Sequence, residues 1–323
     1  MQRDSYFDNF KALLILLVVI GHFIGAFIYK NHLMEFLVIT IYCFHMPAFA
    51  FVSAYFSRRN NILKLVKTLL IPYVAFQTIY FIFLYFIGRV NHYELLRPYF
   101  TLWFMLSLFC WRLIIDKIVK IKGIVLISYI TAVLAGYITA IGAFGAIGRT
   151  ITYLPFFILG YTFNKDRFLQ FTSRKAVKIA AYIILAIILI LLYFGSDYIE
   201  FDVLIMKYSY VKSDSLQWGW LYRTIIYIFS TFFIYLIAAV IPRNSHWFTY
   251  IGQRTMSIYL LHGIIYKIIQ YKTDLYDAIN TTAEMFAVLC IAVVLTYILS
   301  LKPFDTLIRK LSSVPIEKLL KWY

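Results

Sequence analysis

Residues 11–22 read KALLILLVVIGH, a lysine and a histidine with ten uncharged and almost wholly apolar residues between them. In water such a helix turns its histidine to the wet side. In lipid it has no wet side, so the surrounding solvent decides how the segment folds. The rest of the chain answers that question. Of 323 residues, 63% are hydrophobic, 20% aromatic and 14% charged, whereas a soluble domain is about half apolar and about a quarter charged. This is the composition of an integral membrane protein. The net charge of +16 does not point to nucleic acid, because the basic residues sit in short loops between apolar runs. Cys43, Cys110 and Cys290 fall inside apolar runs without metal-type spacing, so neither a disulfide framework nor a metal site is expected. The first apolar segment follows Arg3, Asp4, Asp8 and Lys11 and has no small-residue cleavage site, which argues against a removable leader.

The expected fold is all-α, a polytopic membrane helix bundle. About 20 apolar residues make a span, and ten such segments are readable at roughly 10–28, 35–56, 66–87, 99–117, 123–141, 144–163, 177–195, 219–241, 250–271 and 280–301. Loops on one side are rich in cations, among them Arg58, Arg59, Lys64, Lys67, Lys165, Arg167, Arg174 and Lys175. Loops on the other side hold only Lys30, Arg89, Arg97, Lys207, Lys212 and Lys272. That bias predicts that both termini are cytoplasmic. Residues 1–302 are expected to form one transmembrane domain, and 303–323 a short basic amphipathic tail at the cytoplasmic surface.

Ionisable groups inside spans cost several kcal/mol at the bilayer centre, so each one raises a functional question. His22 lies about 18 Å into its span at ~1.5 Å per residue, just past the midplane. Lys11 is eleven residues earlier, and eleven steps of ~100° come within about 20° of whole turns. Asp8 falls close to the same face, so a polar stripe runs from the inner mouth to a buried imidazole. His45 sits mid-span in CFHMPAFAF, where Pro47 frees the Cys43 carbonyl and is expected to open the helix. His262, in MSIYLLHGIIY, is expected at the depth of His22. Arg149 enters the sixth span from the outer side, and Trp103 stands near the outer end of the fourth. Plainer readings compete at every one of these positions: interhelical hydrogen bonds for the histidines, snorkelling for Arg149, a belt anchor for Trp103 and a boundary marker for Lys11. Arg58, Arg59, Lys64 and Lys67 are the densest basic cluster between two consecutive spans, a candidate cradle for a phosphate-rich ligand.

At this point the chain resembles a known family. RDSYFDNFKALLILLVVIGH is similar to the opening of the acyltransferase-3 family of membrane enzymes, in which an acidic residue precedes a cation, ten residues and a histidine. FHMPAFAFVSAYFSRR, LKLVKTLLIPY, LWFMLSLFCWRLI, GRTITYLPFFILGY and IGQRTMSIYLLHG resemble later blocks, in order. They are most similar to the subgroup of fucose 4-O-acetylases and surface-polysaccharide O-acyltransferases. Lys11 stands where arginine is commoner, and Lys64 and Lys67 where many members carry arginines. The resemblance implies transfer of an acyl group, generally acetyl, from cytoplasmic acyl-CoA to a hydroxyl of a cell-envelope polysaccharide or its lipid-linked precursor. It implies no bound cofactor and a place in the bacterial cytoplasmic membrane. His22 would be the general base, with Lys11 and Asp8 beside it on the donor side. Arg58, Arg59, Lys64 and Lys67 would bind acyl-CoA, while His45, Arg149, Trp103 and His262 would face the acceptor. A polysaccharide exporter is the alternative, and a membrane scaffold without chemistry is a third.

Overall fold

The computed structural model describes residues 4–57, 61–139, 144–213 and 215–313. The described residues form helices and no strands. In chain order the longer elements are α1 (Ser5–Ile24), α2 (His32–Tyr55), α3 (Ile62–Phe86), α4 (Trp103–Ile118), α5 (Ile124–Leu134) and α6 (Ile147–Thr162). They continue as α7 (Lys165–Thr172), α8 (Lys175–Gly195), α9 (Gly219–Val240), α10 (Thr255–Lys272), α11 (Thr282–Leu299) and α12 (Lys302–Ser312). Every one of the ten expected segments contains a helix. Six of the described helices are long and apolar enough to cross a bilayer: α1, α2, α3, α8, α9 and α11.

The helices sort by what surrounds them. α1 and α2 are mostly buried inside the protein, whereas α8 is almost bare. Ile179, Ile183, Ile187, Leu191 and Phe194 run along one exposed face of α8, an apolar stripe suited to lipid contact. α1 begins at Asp4, whose carboxylate accepts from the Tyr6 amide at 3.2 Å and caps the helix. It is then latched to the end of α9 and the turn after it. Tyr6 Oη donates to Ala238 O at 2.8 Å, and Asn9 Nδ2 donates to Pro242 O at 2.9 Å and Asn244 O at 2.8 Å. Thr249 Oγ1 closes the set by donating to Asn9 Oδ1 at 2.6 Å. Lys165 pairs with Asp4, and Arg254 donates to Ser300 O at 2.7 Å. One end of the bundle therefore gathers residues near positions 4–9, 165, 242–254 and 300; it is called the N-terminal end below.

Two close approaches set the helix spacing. A methyl group on Gly160 of α6 would lie 1.9 Å from the Phe51 carbonyl oxygen of α2, and one on Gly252 would lie 1.7 Å from the Asp8 carbonyl oxygen. Only glycine lets these backbones touch.

Two expectations change. α2 runs unbroken through Pro47, because the Ser230 hydroxyl of α9 donates to the Cys43 carbonyl that the proline leaves free. The fourth expected span, 99–117, is helical only from Trp103. The chain before it folds back along α3, held chiefly by the buried amide of Gln77. Gln77 Nε2 donates to Glu94 O and Arg97 O, both at 2.8 Å, and Gln77 Oε1 accepts from the Tyr99 amide at 3.0 Å. Tyr73, one turn earlier on the same face, donates to Leu95 O at 2.5 Å. Irregular backbone at such depth is tolerated where protein satisfies its polar groups, which Gln77 does here.

Candidate functional site

A cavity of about 370 Å³ opens among α1, α2, α6 and α10, with the folded-back chain as one wall. His22, His45, Arg149 and Trp103 all line it, and His262 lies directly behind His22. His22 Nδ1 is 3.0 Å from His262 Nε2, with the rings nearly parallel and their centroids 5.2 Å apart. His262 is fully buried, and its Nδ1 lies 2.8 Å from the Ile258 carbonyl oxygen one turn back on α10.

These contacts fix proton positions. A carbonyl oxygen only accepts, so His262 must carry its proton on Nδ1, which leaves Nε2 as an acceptor. His22 must then donate from Nδ1, and its Nε2 is left with a free lone pair. In the neutral pair, the histidine on the cavity wall is a poised proton acceptor, oriented by the histidine behind it. His45 is fixed in the same way: its Nδ1 lies 2.7 Å from the Ile41 carbonyl oxygen, so its Nε2 also accepts.

Arg149 is held over the Trp103 indole, 4.7 Å from the ring centroid. Trp103 is the first residue of α4 and packs at a tilt against Tyr153, with centroids 5.2 Å apart. Lys267, one turn beyond Gly263 on α10, also faces the cavity. Its ammonium donates to Gln270 Oε1 at 2.6 Å and sits 4.4 Å from the centre of the Phe100 ring. Tyr259 donates to the Thr101 carbonyl of the folded-back chain.

Toward the N-terminal end, an apolar slot of about 90 Å³ adjoins this cavity and shares Val18, Met46 and Tyr259 with it. Ile15, one turn past Lys11, and Leu69, two residues past Lys67, line the slot. Lys11 pairs with Asp8 at 2.8 Å and lies 5.0 Å from the centre of the Phe56 ring. Asp8 and Lys11 are outside the cavity lining; they stand at the N-terminal end, with the slot between them and His22. Lys64 is exposed on the first turn of α3, and Lys67 is half-buried in a π-helical turn, Val66–Leu70. Arg58 and Arg59 lie outside the described residues.

Three participants escaped the sequence reading. Lys267 was visible as a charge within the ninth span, and Gln77 as an amide within the third. Lys207, which also lines the cavity, lies in a loop and gave no signal. Metal-ligating side chains gather among the described residues at His32, Glu35 and Asp197, with ligand atoms within 4.8 Å of one another. That group takes no part in the cavity.

Comparison with curated proteins and with solved structures finds no match. A family model described as an acyltransferase domain matches residues 4–301, nearly the whole described bundle, and the chain belongs to the acyltransferase-3 family of membrane proteins.

Proposed function

We propose that this protein is a membrane O-acyltransferase that carries an acyl group, acetyl in the simplest case, from acyl-CoA on the cytoplasmic side to a hydroxyl of a cell-envelope polysaccharide or its lipid-linked precursor. In this reading the ten helical segments all cross the bacterial cytoplasmic membrane and the N-terminal end faces the cytoplasm, in keeping with the excess of cations in its loops. The observation that carries the reading is the chain from His22 through His262 to Ile258 O, which leaves His22 Nε2 unprotonated on the wall of an internal cavity.

The donor enters from the cytoplasmic side. Lys11, Lys64, Lys67 and the neighbouring Arg58 and Arg59 hold the phosphates of coenzyme A, and the apolar slot takes its long arm toward His22. The acceptor hydroxyl gives its proton to His22 Nε2 as its oxygen attacks the thioester carbonyl. Collapse of the tetrahedral adduct breaks the C–S bond, and the departing thiolate takes the proton back from His22. The developing oxyanion needs a hydrogen-bond donor. His45 and His262 have committed their N–H groups to backbone carbonyls, so Arg149 is the donor of choice. Trp103 holds Arg149 in place and offers a flat face to a sugar ring. No residue is asked to hold a cofactor.

The test is acyl incorporation in a deletion strain complemented with His22→Ala. Transfer should fall by about 10²- to 10⁴-fold, while the protein still accumulates in the membrane and the polymer still reaches the surface. Full O-acylation by that variant would sink the mechanism. Loss of the polymer itself from the surface would favour the exporter.

A further inference from the structure

The reactive cavity continues away from the slot into a second chamber of about 480 Å³, with which it shares Phe100, Trp103, Arg149 and Lys207. The charges around this joint space are of one sign. Arg97, Arg149, Lys207, Lys212 and Lys267 line it, and no aspartate or glutamate appears among the described residues of either lining. Arg149 and Lys267 are held by aromatic faces and the amide oxygen of Gln270, without a carboxylate. Arg97 is paired with Glu94 at 3.1 Å, at the rim.

The placement runs against the grain of the sequence. The loops of this side are poor in cations: Lys30, Arg89, Arg97, Lys207, Lys212 and Lys272 are all they hold. Three of these six line this one chamber, joined there by Arg149 from α6, while Lys267 of α10 faces the adjoining cavity. The loop that carries Lys207 is also built to stay put. Arg223 Nη2 donates to Tyr208 O at 3.0 Å, Tyr153 Oη to Ile205 O at 3.1 Å and Tyr210 Oη to Val133 O at 2.7 Å. Beyond the paired Arg97, gathering Arg149, Lys207, Lys212 and Lys267 without a carboxylate in the linings costs free energy unless a ligand supplies the negative charge.

We infer that the acceptor is anionic, and that this chamber binds its negative charge as a uronate carboxylate or as the diphosphate of a lipid-linked saccharide. Lys207, held 4.6 Å from the centre of the Tyr208 ring, and Arg149, held over Trp103, take the anion together with Lys212. The inference rests on the acyl-transfer reading only in calling this ligand the acceptor; the anion site itself does not depend on it.

Binding to the full-length protein in lipid nanodiscs, at fixed ionic strength, tests the site with three probes: tetragalacturonate, neutral maltotetraose and inorganic pyrophosphate. At least one anion should bind about tenfold or more tightly than maltotetraose. Tighter tetragalacturonate assigns the charge to an acidic sugar; tighter pyrophosphate assigns it to the carrier lipid. The double variant Lys207→Gln/Lys212→Gln should erase the preference of the anionic probe over maltotetraose. Equal binding of all three probes, or a preference that survives the double variant, overturns the inference. O-acylation of the surface polymer in the complemented deletion strain reads the acyl-transfer reaction separately, so either result can fail without the other.

Discussion

At the residue scale the site turns on which atom holds which proton. The Ile258 carbonyl sets His262, and His262 sets His22. Removing the second ring should therefore damage the first without touching the reactants. His262→Ala is expected to lower kcat about tenfold or more, with KM for acyl-CoA little changed, because His22 then loses its fixed tautomer and orientation. His262→Gln should recover part of that loss, since its amide oxygen reaches the place of Nε2 and can accept the same proton. Equal defects in the two variants would show that His262 only fills space. Sequence carried this pair halfway. Equal depth in two outward-running spans was readable for His22 and His262, but the direct contact depends on helix rotation, which periodicity does not give in a segment that is apolar all round.

At the element scale, hydropathy located the helices but not their neighbours. α2 and α8 are similar runs of apolar residues, yet one is central and the other faces outward, because lipid is as apolar as a protein core and exerts no sorting force between them. What does sort them is small residues and buried polar latches. Gly160→Ala would drive a methyl group into the Phe51 carbonyl and should cost on the order of 3 kcal/mol, seen as a lowered thermal midpoint in detergent. Gln77→Leu cuts three hydrogen bonds to the folded-back chain and should cost about 2–4 kcal/mol. Because that chain forms a wall of the cavity, the variant should also raise KM for the acceptor more than KM for acyl-CoA. The folded-back segment was invisible in sequence: residues 99–102 continue the apolar run of α4, and contacts from Gln77, Tyr73 and Tyr259 hold the segment out of the helix. Pro47 taught the reverse lesson, since the predicted opening is closed by a serine 187 residues away.

At the scale of the whole molecule, the proposed topology, with the N-terminal end cytoplasmic, can be read in cells. Single cysteines at Lys30 and Lys207 should react with a membrane-impermeant maleimide from outside, while one at Lys165 should react only after lysis. Labelling of the Lys165 cysteine alone from outside would reverse the orientation, and labelling of all three would overturn the sidedness. The latches between α1 and the chain around 242–249 have one more consequence, and it concerns time. The two imidazoles that must touch are separated by 240 residues, and Asn9 waits almost as long for the carbonyls and hydroxyl that hold it. A ribosome adding about 5–20 residues per second needs roughly 12–50 s to cover that interval. Through that time the newborn first span sits in the membrane with its partner unmade. The cavity wall is thus left unfinished until residue 262 is made, and a nascent protein that stalls before it holds His22 without the ring that orients it.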